Sequence, residues 1–275
     1  MNLYINKIAI VTGAASGIGK AISGKLIDNG CKVHMLDINK EQLKKSASDL
    51  GSSAVPHPLD VTDYSAFKEV ISAIVTSDLR IDFVFNNAGI AYAGEMTGYS
   101  IEAWNKILDV NVRGIVNSVQ LIYPIMKEKQ SGRIINTSSL AGLIPSGLMV
   151  PYATSKHAVM GLTRSLKVEA QLFNVHVHVL CPGSVETKLL DNSHPEDMPE
   201  RARIGTRDYL TKITGKPVSA DDFAVFVLKE IAKNKEVIFY PKKVKEIWNF
   251  SRFFPKKLSR YARKAVQEEM NLSNN

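Results

Sequence analysis

The hydrophobic positions of the chain alternate between short uninterrupted apolar runs and longer stretches with helical spacing. Short apolar runs bounded by glycine or polar residues are typical of buried strands, whereas apolar residues three and four positions apart indicate a helix with one buried face. The runs predict seven strands, at residues 7–13, 32–37, 54–61, 81–85, 133–138, 175–180 and 236–240. The helical patterns lie between them, at residues 17–29, 41–50, 64–75, 102–129, 152–173 and 220–233.

Strands that alternate with helices of this length predict a parallel sheet that is covered on both faces. The fold class is therefore α/β, a doubly wound seven-stranded parallel sheet in one domain, since no break in composition separates the repeats. Residues 184–219 differ from the rest, because they are polar and carry three prolines. We interpret this segment as a lid over a substrate site rather than as part of the core.

A glycine-rich turn joins the first strand to the first helix, with Gly13, Gly17 and Gly19 within seven residues. Glycines at such a turn let the backbone approach a pyrophosphate, which then lies at the positive end of the helix. The spacing differs from that of the commonest dinucleotide fingerprint, but its place between strand and helix is the same. The turn predicts a dinucleotide site.

Asp37 ends the second strand, 24 residues after Gly13. A carboxylate at this place can accept both ribose hydroxyls of an adenosine and would repel a 2′-phosphate. Neither Ser16 nor Ile38, the residues placed to neutralise that phosphate, is basic. The sequence therefore favours NAD over NADP.

Four further motifs follow in order, and together with the glycine turn they resemble the short-chain dehydrogenase/reductase family over residues 7–240. They are Asn86-Asn87-Ala88-Gly89 after the fourth strand, Asn111 in the next helix, Ser139 with Tyr152 and Lys156, and Pro182-Gly183 followed by Thr187. The resemblance implies a Rossmann-like fold, a catalytic domain at residues 1–241 and an NAD(P)-dependent oxidoreductase. It also implies pairing of two copies through the helices at 102–129 and 152–173, as a homodimer or homotetramer.

The resemblance implies that Asn111, Ser139, Tyr152 and Lys156 are catalytic. It implies a cofactor site made of Gly13, Ser16, Gly17, Ile18, Gly19, Asp37, Asp60, Val61, Asn87, Ala88, Gly89, Tyr152, Lys156, Pro182, Gly183, Val185 and Thr187.

The spacing of Tyr152 and Lys156 supports this, because residues four apart lie on one helix face. A phenol with its ordinary pKa near 10 is a poor base at neutral pH, and both a nearby ammonium and an oxidised nicotinamide ring favour the phenolate. Ser139 would hold the substrate oxygen, and Asn111 would keep a water near Lys156 for a proton relay.

Composition argues against several other classes of protein. The two cysteines, Cys31 and Cys181, are too isolated for a disulfide framework or a metal cluster, so no metal site is expected. The longest uncharged stretch, between Arg133 and Lys156, is rich in Ser, Gly, Pro, Asn and Thr and does not predict a membrane span. The chain shows no secretory signal, and we expect a cytoplasmic protein.

The net charge of +8 lies entirely in residues 241–264, where nine Lys or Arg stand against Glu246 alone. A neutral body argues against a nucleic-acid partner. Residues 242–275 form a basic C-terminal extension with apolar residues at helical spacing over 242–266, and Pro255 predicts two short helices or one kinked helix. Such a segment either packs on the body or a second subunit, or makes peripheral contact with a membrane through 242–264.

The leading interpretation is an NAD-dependent oxidoreductase that interconverts a secondary alcohol and a ketone, with Tyr152 as acid and base. Five apolar residues between Ser139 and Tyr152 predict an apolar site mouth, and hence a lipophilic substrate of steroid, retinoid or fatty-acyl type: Leu140, Leu143, Ile144, Leu148 and Met149. The alternatives are an NADPH-dependent 3-oxoacyl thioester reductase and a nucleotide-binding scaffold without activity. The intact catalytic set argues against the scaffold.

Overall fold

The computed structural model of the protein describes residues 3–191 and 194–270. Seven strands form one parallel sheet in the order β3-β2-β1-β4-β5-β6-β7. The strands are Ile8–Thr12 (β1), Lys32–Asp37 (β2), Ala54–Pro58 (β3), Phe83–Asn86 (β4), Gly132–Thr137 (β5), Val175–Pro182 (β6) and Val237–Tyr240 (β7). The order reverses direction between β1 and β4, as in a doubly wound Rossmann-like sheet, so the predicted fold class is confirmed.

Helices cover both faces of the sheet and divide the core into two layers. The helices up to β7 are Gly17–Asp28 (α1), Lys40–Leu50 (α2), Tyr64–Asp78 (α3), Ile101–Leu108 (α4), Gly114–Glu128 (α5), Val150–Ala170 (α6), Thr206–Thr214 (α7) and Ala220–Ala232 (α8). One layer contains Ile22 of α1 and Phe223 of α8, and the other contains Phe67, Ile122 and Val159 from α3, α5 and α6. Burial on both faces explains why the strands appear in the sequence as continuous apolar runs.

Most predicted elements differ from the structure by one to three residues at an end, and two of the differences have a clear physical cause. The third strand ends at Pro58 rather than at residue 61, since prolines 56 and 58 donate no hydrogen bonds and confine this strand to the edge of the sheet. The helix predicted at 102–129 is interrupted by a π-helical turn, Asp109–Arg113, between α4 and α5. A π-helical turn contains one residue more than an α-helical turn, and the apolar periodicity of the sequence does not reveal it. Such turns often mark functional sites.

The basic C-terminal extension folds as two helices, Lys242–Phe253 (α9) and Pro255–Glu269 (α10), with Pro255 at the first position of the second. Both helices pack on the body in the structure, which leaves their outer faces open to a further contact. Val244 of α9 is buried against Leu140 and Ile144, and Val266 of α10 packs with Tyr209 of α7. No helix within residues 3–191 and 194–270 is long and apolar enough to cross a membrane.

Candidate active site

The glycine turn forms a tight cradle after β1. Gly13 and Gly17 have φ angles of +65° and +52°, a region that favours glycine. A Cβ on Gly19 would lie 2.1 Å from the carbonyl oxygen of Gly13, so a larger residue would force the turn apart. Ser16 is the N-cap of α1 but makes no side-chain capping bond, which leaves the first amides of the helix to a ligand. This cradle fits a pyrophosphate, and hence the dinucleotide implied by the sequence.

The segment after β4 is held against this turn by Thr12. The Thr12 hydroxyl oxygen accepts hydrogen bonds from the backbone N–H groups of Asn87 and Ala88, each at 3.0 Å, and the Asn87 side-chain amide donates to the Thr12 carbonyl. A Cβ on Gly13 would lie 2.8 Å from the Ala88 Cα. Two strand ends that are remote in sequence are thus joined at the carboxyl edge of the sheet, where ligands of such folds bind.

Asp37 lines the same cleft at the end of β2. Its carboxylate accepts hydrogen bonds from the backbone N–H of Ala15 at 3.0 Å and of Asn39 at 2.9 Å, which fix its orientation. Ile38 beside it is 70% exposed. Among the described residues that line the cleft, no Lys or Arg comes from segment 13–40. Among the described lining residues from this segment, Asp37 is thus the only charged one.

Ser139, Tyr152 and Lys156 meet at the carboxyl end of β5. Ser139 lies two residues beyond the strand and caps a 3₁₀ turn, accepting from the Ala141 N–H at 3.2 Å. A hydrogen bond joins the Ser139 and Tyr152 side chains. On α6, the Lys156 ammonium lies 5.6 Å from the centroid of the Tyr152 ring and donates to the Thr137 carbonyl at 2.9 Å.

Burial sets the ionisation of this group. It raises the pKa of Tyr152, and the hydrogen bond with Ser139 is the opposing influence. Burial also lowers the pKa of Lys156, only 4% exposed, to about 8. For both groups burial is the largest influence and it favours the uncharged form, which the helical spacing of the two residues does not reveal. The neutral phenol is the form that can give a proton to a substrate oxygen.

Asn111 lies in the π-helical turn and is fully buried. Its side-chain oxygen accepts from the Ile90 N–H at 2.8 Å, and its amide donates to the Ile90 carbonyl and to the Ser155 hydroxyl, both at 2.9 Å. Ser155 in turn donates to the Tyr152 carbonyl. Asn111 therefore braces the strand-end segment against α6 with every polar atom of its side chain bonded.

Most of the residues singled out in the sequence share one cleft of about 1200 Å³. Four do not line it: Gly19, Asp60, Val61 and Asn111. Gly19 lies beneath the turn, the Asp60 carboxylate is bonded to Thr62, and Val61 packs closely on Gly114. The lining residues from the predicted set are Gly13, Ser16, Gly17, Ile18, Asp37, Asn87, Ala88, Gly89, Ser139, Tyr152, Lys156, Pro182, Gly183, Val185 and Thr187.

The apolar wall is only partly as predicted. Leu140, Ile144 and Met149 line the cleft, whereas Leu143 and Leu148 point into neighbouring apolar clusters. Sequence reasoning missed a second wall, made by α7, α9 and α10. Its apolar members are Tyr209, Leu210, Ile213, Ile247, Phe250, Leu258, Tyr261, Ala262 and Ala265. The helical spacing of apolar residues in 242–266 was the available signal, but it did not reveal what those residues cover.

The fold and this cleft together define an NAD(P)-binding oxidoreductase with a Ser-Tyr-Lys site. The sequence model of the short chain dehydrogenases matches residues 7–197. The chain belongs to this family, whose members act on CH–OH and keto groups with NAD(P).

Named relatives and a solved structure agree with this assignment. The chain is 36% identical over 200 residues to the 3-oxoacyl-[acyl-carrier-protein] reductase of Thermotoga maritima, covering 72% of this chain and 79% of that protein. It is 29% identical over 213 residues to the levodione reductase of Leifsonia aquatica, covering 75% and 80%. A short chain dehydrogenase/reductase of Burkholderia phymatum, solved in complex with NAD, has a TM-score of 0.84 at 26% identity, covering 94% of this chain and 97% of that one.

Proposed function

We propose that the protein is an NAD-dependent oxidoreductase that interconverts a lipophilic secondary alcohol and its ketone. The observation that carries this proposal is the Ser139–Tyr152–Lys156 group in a cleft whose second wall, from α7, α9 and α10, is mostly apolar. Five charged residues also belong to that wall: Lys212, Lys243, Glu246, Lys264 and Glu268. A substrate that buries apolar surface there gains about 25 cal/mol per Å². A steroid, retinoid or fatty-acyl compound has such a surface beside an oxygen that can be oxidised or reduced.

The residues divide the work as follows. Ser139 holds the substrate oxygen, and Tyr152 gives it a proton in reduction or takes one in oxidation. Lys156 stabilises the phenolate electrostatically and is placed to donate to the nicotinamide ribose. Asn111 would keep a water near Lys156, so that the proton returns to solvent. A bound dinucleotide would supply the hydride, and the residues that would hold it are Gly13–Gly19 at its pyrophosphate and Asp37 at its adenosine ribose.

The substrate class is tested by turnover at 340 nm. With NADH, a long-chain or polycyclic ketone should have a lower KM than a short ketone of equal reactivity, because only the larger one fills the apolar walls. Ile247→Ser should raise the KM for the large ketone and leave that for the short one almost unchanged. Equal KM values for both ketones in the unaltered protein would contradict the lipophilic assignment.

Cofactor choice is predicted from Asp37. NADH should bind more tightly than NADPH by roughly 1–3 kcal/mol, which is about 5- to 150-fold in Kd. Asp37→Asn removes the charge but keeps the shape of the side chain. In a calorimetric titration it should reduce the ratio of the Kd for NADPH to the Kd for NADH. Asp28→Asn, at the exposed end of α1 and outside the cleft, is the matched control. Equal affinities of the unaltered protein for the two cofactors would refute the preference.

A 3-oxoacyl thioester reductase that uses NADPH is the second candidate. The similarity to the Thermotoga maritima reductase favours it, and Asp37 argues against its cofactor. Turnover of an acetoacetyl thioester with NADPH above that of every simple ketone with NADH would establish this alternative. A scaffold without activity would bind NADH and turn over none of these substrates.

Assembly and cellular place are part of the same proposal. Val168 and Leu172, on and just beyond α6, are exposed apolar residues, as expected if two copies pair through the helices at 102–129 and 152–173. Light scattering at micromolar concentration should therefore report a homodimer or homotetramer, and a monomer would contradict this.

We propose a cytoplasmic protein with peripheral membrane contact through 242–264.

A further inference from the structure

The corner between α9 and α10 exposes two consecutive large apolar residues. Phe253 is 78% exposed and Phe254 is 49% exposed, and neither lines the cleft. Pro255 follows directly and begins α10, so the two rings lie at the turn where one helix ends and the next begins. Contiguous exposed apolar residues, unlike singly scattered ones, are typical of contact surfaces.

Cations surround this corner. Arg252 precedes the two phenylalanines, and Lys256 and Lys257 follow them, with Arg260 one turn further along α10. In the described residues, no carboxylate lies within ion-pair distance of any of these four. The charge is therefore available to an external partner, and its complement is an extended anionic surface.

An aromatic path connects the corner to the active-site cleft. The Phe254 ring lies 5.3 Å from the Phe250 ring, which lies 6.4 Å from the Tyr261 ring. Phe250 and Tyr261 both line the cleft, while Tyr261 is also two-thirds exposed to solvent. Helices α9 and α10 thus present an apolar face to the cleft and an aromatic corner to solvent.

We propose that this corner docks on an anionic lipid bilayer. Phe253 and Phe254 enter the region between headgroups and acyl chains, and the surrounding cations pair with anionic headgroups. The cleft opening at Phe250 and Tyr261 then faces the bilayer, from which an apolar substrate enters without crossing water. Only this last step rests on the proposed function, since docking requires the exposed corner alone.

The two parts of the contact respond differently to salt. Each basic residue near an anionic surface strengthens binding about fivefold at low ionic strength, and salt screens this attraction. Buried phenylalanine rings contribute an attraction that salt does not screen. Lys256→Glu/Lys257→Glu should therefore weaken vesicle binding more than about tenfold at low salt, whereas Phe253→Ser/Phe254→Ser should abolish the binding that persists at high salt.

The experiment is cosedimentation of the full chain with phosphatidylcholine vesicles, with and without phosphatidylglycerol. The matched controls are Tyr64→Ser/Leu79→Ser, two exposed apolar residues at the ends of α3, and Lys44→Glu/Lys45→Glu, two exposed lysines on α2. We expect binding that is much stronger with phosphatidylglycerol than without it, is weakened by both corner variants and is unchanged in both controls. The corner variants should keep their turnover of a water-soluble ketone.

Three results would overturn the proposal. The unaltered protein could fail to bind phosphatidylglycerol vesicles at low salt, or the phenylalanine variant could bind like the unaltered protein at all salt concentrations. Light scattering could also show that the phenylalanine variant loses a subunit contact, which would assign the corner to a second copy of the chain. Vesicle binding by a protein that reduces no ketone would instead leave the docking in place and remove the proposed function.

Discussion

Tyr152→Phe should lower turnover by about 10²- to 10⁴-fold and leave NADH binding nearly unchanged. The change removes only the hydroxyl, which bonds with Ser139 and is the proposed proton donor. The ring remains to fill its place beside Lys156. Stopped-flow or steady-state absorbance at 340 nm gives the turnover, and a calorimetric titration gives the Kd for NADH.

Two comparisons make this result specific. Tyr64→Phe, at the exposed start of α3, should have ordinary turnover and controls for the loss of any tyrosine hydroxyl. Lys156→Ala should lower turnover and weaken NADH binding, because this ammonium faces the Tyr152 ring and is the proposed donor to the nicotinamide ribose. Near-normal turnover in Tyr152→Phe would require a different acid and base.

Removing residues 242–275 should lower the melting temperature and raise the KM for a lipophilic ketone. The deletion uncovers Leu140 and Ile144, which now pack against Val244, and it removes one wall of the cleft. Losing one fully buried apolar side chain costs about 1.5–3 kcal/mol. In a chain somewhat larger than 250 residues, each kcal/mol corresponds to roughly 2–4 °C, so we expect a decrease of several degrees.

Point variants separate this packing from a general effect of the extension. Val244→Ala/Val266→Ala removes methyl groups that contact the body and should reproduce part of the loss. Lys256→Ala/Arg260→Ala changes the outer face and should leave both the melting temperature and the KM unchanged. An unchanged melting temperature after the full deletion would mean that α9 and α10 do not contribute to the stability of the domain.

The sequence was sufficient for the sheet, because each buried parallel strand leaves a continuous apolar run and each covering helix leaves its own period. It was also sufficient for the glycine turn. Any residue other than glycine at position 19 would place its Cβ 2.1 Å from the carbonyl oxygen of Gly13. The pairing of Tyr152 with Lys156 followed from the helical repeat alone. These features are local, so neighbouring residues in the chain are enough to encode them.

The interruption of the 102–129 helix was not predictable in this way. The π-helical turn accompanies an Asn111 side chain that bonds to Ile90 and Ser155, both remote in sequence. The ionisation of Tyr152 also depends on burial, which an i, i+4 spacing does not report. Both properties depend on contacts that form only when separate elements are packed together.

The C-terminal extension shows the same division. The charge, the apolar periodicity and the break at Pro255 are visible in the sequence of residues 242–266. The sequence alone predicted an amphipathic helical segment there, as two short helices or one kinked helix, and the structure has two. Only the tertiary structure decided that their apolar faces close over the cleft and leave Phe253 and Phe254 outside. Amphipathicity requires that one face of each helix is buried. Which residues bury that face depends on the shape of the surface that the rest of the chain presents.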